Sequence, residues 1–242
     1  MTRISVIMPT YNGEKYIKEQ INSILSNITS DDEIIISDDG STDKTVDIIH
    51  EYEKNNANIK YIEGPHQGVV KNINNALKYA TGNIIFLSDQ DDVWLKNKVA
   101  TIVNIFENNK DITCVLHDLQ IVDANLSIIE ISYFNFHKSR LGFLNNLIRN
   151  SFVGAAMAFR ASMLEYILPI ENVPMHDQWI GLINEVYGKT FICNEILGLY
   201  RRHGANVTQL KHGSLTSMLS KRMLITLQIL KRFNQILFGR KK

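Results

Sequence analysis

Short, nearly continuous apolar runs constrain this chain most: Ile4-Ser5-Val6-Ile7-Met8, Ile34-Ile35-Ile36-Ser37 and Ile84-Ile85-Phe86-Leu87. A strand with one face in water alternates apolar and polar residues. A strand apolar at almost every position is covered on both faces, as in a parallel sheet flanked by helices. Between the runs, apolar residues recur at helical spacing: Ile17, Ile21, Ile24, Leu25 and Ile28, then Val46 and Ile49, then Val69, Ile73, Ala76, Leu77 and Ala80. Asn12 is placed to cap the first helix, Pro9 to stop the first strand, and Thr81-Gly82 to end the third helix. Ile59-Lys60-Tyr61-Ile62 reads as a weaker strand. The pattern predicts an α/β fold with a mostly parallel, Rossmann-like sheet. Farther on it predicts a strand over Val153–Phe159, a helix over His176–Tyr187, and two closing strands, Phe191-Ile192-Cys193 and Leu197-Gly198-Leu199-Tyr200.

With 242 residues, 45% of them hydrophobic and 21% charged, the chain suits one α/β domain and is not disordered. Cys114 and Cys193 sit in apolar runs and read as buried thiols. With no leader-like start and no run of about 18 apolar residues, the expected location is cytoplasmic. The net charge of +1 hides an asymmetry. Beyond Glu195 there are ten Lys or Arg and no acid, leaving 16 basic against 25 acidic residues before it, a net of −9. We therefore expect a domain over 1–210 and a basic amphipathic helical tail over 211–242. In the tail Leu219, Met223, Leu227, Leu230, Phe233 and Leu237 share one face, with Lys221, Gln228 and Arg232 opposite. Such a helix either lies on the inner face of the membrane or packs on protein.

In open α/β sheets ligands bind beyond the carboxyl ends of the strands. The polar residues there are Thr10-Tyr11-Asn12, Asp38-Asp39-Gly40-Ser41 and Ser88-Asp89-Gln90-Asp91-Asp92. Neither G-x-G-x-x-G nor G-x-x-x-x-G-K-[ST] is present, so a dinucleotide turn and a P-loop are excluded. Asp89, Asp91 and Asp92 offer clustered oxygens to a hard divalent cation and repel one another without one. The alternative is a solvated helix start with Asp92 as its cap. His66, His117, His137 and His212 have no partner spacing and read as structural.

Phe86-Leu87-Ser88-Asp89-Gln90-Asp91-Asp92-Val93-Trp94 resembles the D-x-D region of the family-two, inverting nucleotide-sugar glycosyltransferases of GT-A fold, in the rhamnosyltransferase-like bacterial branch. Val6-Ile7-Met8-Pro9-Thr10-Tyr11-Asn12-Gly13 is similar to that family's opening strand and loop. Asp38-Asp39-Gly40-Ser41-Thr42-Asp43-Lys44-Thr45 and Gly68-Val69-Val70-Lys71-Asn72 resemble its next two segments. The resemblance implies that Thr10, Tyr11, Asp38, Asp39, Asn72 and Asp89 bind the nucleotide. It implies that Asp91, with Asp89 and His203, holds Mg²⁺ or Mn²⁺, and that Arg201 and His203, in Tyr200-Arg201-Arg202-His203, contact the diphosphate.

Met175-His176-Asp177-Gln178-Trp179 is similar to the segment that supplies the family's base, which makes Asp177 the candidate; many members carry Glu-Asp where this chain has His-Asp. Gly154, Met157, Trp94 and His176 are expected in the sugar pocket. The implied reaction moves a sugar from a dTDP- or UDP-sugar, rhamnose first and a hexose second, to a glycan or lipid-linked acceptor in bacterial surface polysaccharide synthesis. Nucleic acid is not an expected partner. The rival readings are a sugar-nucleotide nucleotidyltransferase and an inactive nucleotide- or glycan-binding module.

Overall fold

The computed structural model describes residues 2–204 and 215–239. The first half alternates β1 (Ile4–Thr10), α1 (Ile17–Leu25), β2 (Glu33–Asp38), α2 (Thr45–Asn55), β3 (Ile59–Glu63), α3 (Val69–Leu77) and β4 (Ile84–Leu87). A two-residue strand β5 (Val93–Trp94) and helix α4 (Lys98–Asn108) follow the acidic run. The second half holds β6 (Cys114–Val122), β7 (Ile128–Glu130), α5 (Tyr133–His137), α6 (Phe143–Ile148), β8 (Met157–Arg160), α7 (Leu164–Ile167), α8 (His176–Tyr187), β9 (Thr190–Arg201) and α9 (Leu215–Gly239).

One sheet runs β3-β2-β1-β4-β8-β6-β9-β5, with β7 on the edge of β6. The order β3-β2-β1-β4 is parallel throughout, as the apolar runs require. Neighbouring residues on one strand serve opposite faces. Ile7, Ile35 and Ile85 join a core with α3 and α8, whereas Val6, Met8, Ile34, Ile36 and Phe86 join another with α1, α2 and α4. Burying each such side chain contributes about 1.5–3 kcal/mol.

Beyond β4 the sheet departs from a mostly parallel one. β8 is antiparallel to both β4 and β6, and β5 to β9, while β6 and β9 are parallel. The sheet is mixed because its second half returns through the antiparallel β8 rather than through another crossover helix. β9 is one strand with register shifts near Asp118, not two strands. Residues 154–156 form a 3₁₀ turn, and the expected strand there begins only at Met157. Pro9 lies within β1, opposite Ser37, near the carboxyl end where the ladder stops. Asn12 does not cap α1. It takes a left-handed backbone (φ 48°) and its Oδ1 accepts the Thr42 N–H at 2.8 Å, joining the first two loops.

The tail helix packs on the domain, one of the two expected alternatives, but not through its apolar stripe. Ile225 and Ile229 are buried on the domain, and Arg232 turns inward, over the Trp179 ring at 5.6 Å, donating to Leu168 O and, at 2.6 Å, to Pro169 O. The stripe of Leu219, Met223, Leu227, Leu230, Phe233 and Leu237 faces away, each residue 45–64% exposed. The helix therefore docks by its flank and leaves its apolar face uncovered by the described residues. No helix among the described residues is long and apolar enough to cross a membrane. The expected boundary at 210/211 and His212 lie outside the described residues.

Candidate active site

The loops after β1, β2 and β4 meet at one edge of the sheet because parallel pairing brings their carboxyl ends together. Asp38 is consumed in building that edge. Its carboxylate accepts from Gly40 N (3.1 Å), Ser41 N (2.8 Å), Ser41 Oγ (2.5 Å) and Thr10 Oγ1 (2.9 Å). Asp39 accepts from Gln67 N (3.2 Å) and Gly68 N (2.6 Å), which ties the second loop to the start of α3. Gln90 closes the first loop against the third. Its Oε1 accepts Tyr11 N and its Nε2 donates to Tyr11 O, both at 2.9 Å. A Cβ on Gly13 would lie 2.3 Å from that Oε1 and would displace the Gln90 amide from its place against Tyr11. The Tyr11 side chain is left 57% exposed at the mouth. Asn72 sits beneath the loops, not on their surface: it is buried and donates to Ser37 O at 2.7 Å.

The acidic run crowds into the adjoining cleft. Burial, with the charges of Asp91 and Asp177, pushes the Asp89 carboxyl up to about 7. Burial and the neighbouring charges of Asp91 and Asp89 hold Asp92 well above the usual carboxylate range. Asp92 is not a helix cap, since α4 begins at Lys98 with Asn97 at its N-cap. Its Oδ1 accepts Arg201 N at 2.8 Å, and its Oδ2 is buried without a hydrogen-bond donor.

Asp91 meets His203, Oδ2 to Nε2, at 2.8 Å, and the imidazole stacks near Tyr16 at 4.8 Å between ring centres. Asp91 and His203 are thus brought together as expected. Asp89 does not complete a three-ligand cluster with them; none forms among the described residues.

Arg201, expected at the diphosphate, is engaged within the protein. Its Nε donates to Asp91 O (2.7 Å), its Nη1 to Ala124 O (2.9 Å), and its Nη2 pairs with Glu19, while the guanidinium lies 4.5 Å over the Tyr16 ring. Those bonds make it a buried strut between α1, the acidic loop and β9. Sequence reasoning passed over Glu19 because a lone acid on a helix face carries no signal.

It also passed over Lys98. This side chain is buried, donates to Ala155 O at 2.8 Å and lies 4.2 Å over the Trp94 ring. Burial pulls its ammonium down to about 7 against the attraction of Asp92 and Asp89. The one available signal was a lysine at the start of an otherwise apolar helix face.

Within electrostatic reach of Asp89, Asp177 occupies the first turn of α8 and is buried. Burial pushes its carboxyl up to about 7, opposed by hydrogen bonds from Gln178 N (2.6 Å) and the Asn150 side chain. His176 is also buried, its imidazole pulled down to about 4, and its Nε2 would lie 3.1 Å from a Cβ on Gly154. Gly154 and His176 therefore adjoin beside Asp177. Met157 and Trp94 do not line this space, because Met157 belongs to the core of β8 and Trp94 packs on Phe86 at 5.5 Å. Taken together, Asp89, Asp91 and Asp92 concentrate negative charge within electrostatic reach of a buried carboxyl able to exchange a proton near neutrality.

The sequence profile described as glycosyl transferase family 2 matches residues 5–168. The chain belongs to this family. An uncharacterized glycosyltransferase of Nostoc sp. is 33% identical over 213 residues, covering 84% of this chain and 66% of the relative. The chain thus spans just under two thirds of that relative's length. The Escherichia coli protein WfgD, named as a UDP-Glc:alpha-D-GlcNAc-diphosphoundecaprenol beta-1,3-glucosyltransferase, is 26% identical over 215 residues, 88% of this chain and 82% of WfgD. Among solved structures, Staphylococcus aureus TarS in complex with UDP-GlcNAc superposes with a TM-score of 0.75 at 23% identity, covering 94% of this chain and 66% of TarS. That likeness establishes a GT-A-like fold.

Proposed function

We propose that this family-two protein transfers a hexose, with inversion, from a UDP-sugar to a lipid-linked glycan in bacterial surface polysaccharide synthesis. The observation that carries the reading is Asp177, a buried carboxyl pushed up to about 7 whose charge reaches Asp89 in the acidic run beside the Asp91–His203 pair. Asp177 accepts the proton of the acceptor hydroxyl as that oxygen bonds to the anomeric carbon and the bond to the diphosphate breaks. The Tyr11, Asp39 and Gln90 loops form the nucleotide side, and Gly154 with His176 leaves room for the sugar. The name of WfgD supports a UDP-hexose ahead of dTDP-rhamnose as donor.

Asp91 and His203 suit Mg²⁺ or Mn²⁺: a carboxylate and an imidazole at 2.8 Å, beside the unpartnered Asp92 Oδ2 and a surplus of negative charge. Such a cation supplies positive charge to the leaving diphosphate. The domain over 1–210 carries the chemistry, and the uncovered stripe of α9, with Lys221, Lys231 and the basic end beyond it, lies in the interface of the inner leaflet. A panel of nucleotide sugars, assayed for release of nucleoside diphosphate with a lipid extract present and with Mn²⁺ or chelator, tests the reading. Turnover of UDP-hexose that is lost with chelator is expected. No transfer from any donor would overturn it.

A further inference from the structure

A second cavity lies outside the nucleotide cleft. Its volume is about 310 Å³, and it is lined by Lys138, Arg140, Asn145, Ile148, Arg149 and Ser151. Three of these six residues are cations and none is an acid. Among the described residues the side chains of Lys138, Arg140 and Arg149 form no ion pair, which distinguishes them from Arg160, Arg201, Arg222 and Arg232, all engaged by carbonyls or carboxylates. Unengaged cations converging on one concavity attract an anion, and guanidinium forks match phosphate oxygens in particular.

The surroundings specify the kind of anion. Ile148 on the cavity wall is 63% exposed and Leu144, one turn before it, 70% exposed. The Ile148 carbonyl accepts from Arg222 of α9 at 3.1 Å (Nε) and 2.6 Å (Nη2), so the uncovered stripe of α9 begins beside the cavity. Charge and apolar surface are therefore adjacent, as an amphiphile requires.

The cavity also shares its frame with the base. Ser151 Oγ accepts Arg140 N at 3.0 Å, Gln178 next to Asp177 donates to Asn146 O at 2.9 Å, and Asn150 bonds Asp177 itself. Tyr133 lies within electrostatic reach of both Arg149 and Asp177.

We infer that the cavity of Lys138, Arg140 and Arg149 binds the diphosphate of the acceptor's lipid carrier, with Ile148, Leu144 and the α9 stripe facing the hydrocarbon. This assignment rests on the lipid-linked acceptor proposed above. It places the carrier's charged group on the Asp177 side of the cleft, so that the first sugars of the acceptor extend toward the base.

The test uses the full chain and phosphatidylcholine vesicles in three forms: plain, doped with polyprenyl diphosphate, or doped with phosphatidylglycerol at matched surface charge. Sedimentation should show binding to the diphosphate vesicles at least about tenfold tighter than to the charge-matched ones. The triple variant Lys138→Ala/Arg140→Ala/Arg149→Ala should lose that preference. A milder variant, Arg149→Gln, should reduce it with an unchanged melting temperature, which separates recognition from misfolding. Equal binding to both charged vesicles, inorganic diphosphate bound as tightly as the lipid form, or an undiminished preference in the triple variant would each overturn the assignment. A preference without sugar transfer would support the cavity and count against the transferase reading alone. Transfer without a preference would do the reverse.

Discussion

At the scale of single residues, the cleft places carboxyls where their charge is expensive. Asp177 ionises near 3.8 when exposed and near 7 in the fold. Between those values the folded chain holds a proton that the unfolded chain has lost, so stability falls as pH rises from about 4 to 7. The cost is a few kcal/mol at about 1.4 kcal/mol per unit. Asp177→Asn should therefore melt higher than wild type at pH 8 and nearly level with it at pH 4, measured by calorimetry. The same variant should bind UDP normally and lose transfer by at least about a hundredfold, while wild-type kcat/KM rises with pH through about 7. Asp91→Asn should behave oppositely in binding: isothermal titration should show donor affinity no longer raised by Mn²⁺, with Asp177 untouched. Neither role could be weighed from the sequence alone, because an aspartate at a helix start is an ordinary cap until its burial is known.

At the scale of elements, the site is held by struts that cross between distant segments. Arg201 at the end of β9 clamps Asp91, Asp92 and Ala124 and is countered by Glu19 on α1. Glu19→Ala leaves a buried guanidinium short of its carboxylate and should cost roughly 2 kcal/mol. At 2–4 °C per kcal/mol for a chain of this size, the melting temperature should drop by about 4–8 °C. Metal-dependent turnover should fall with it, since the strut carries the backbone of Asp91. The helices were legible from their apolar period and the parallel strands from their continuous apolar runs. β9 and the turn at 154–156 were not, since their shape answers to β6, β8 and His176 rather than to local preference. Asn12 misled for the same reason: its side chain is drawn to Thr42 by the approach of two loops.

At the scale of the whole molecule, α9 sets which apolar surface the chain presents beside the basic cavity. Docked through Ile225, Ile229 and Arg232, it carries its apolar stripe outward next to the basic cavity. Leu227→Asp/Phe233→Asp alters only exposed positions and should leave the melting temperature within about 2 °C, the ordinary range for surface changes. Vesicle flotation should show weaker association of this variant with anionic liposomes. A large loss of stability instead would show that the stripe is covered by protein.

The order of strands and helices from β1 to β4 and the place of three polar loops on one sheet edge were determined by the sequence itself. Apolar periodicity and motif order are local and additive, so they survive without coordinates. Which polar group faces the cleft was decided only by the tertiary structure. Arg201 became a strut, Trp94 and Met157 became core, and Lys98 became the buried cation beneath the aspartates. Burial and the competition among neighbouring donors are properties of the packed whole, and the same residue types at the same spacing serve either role until packing chooses.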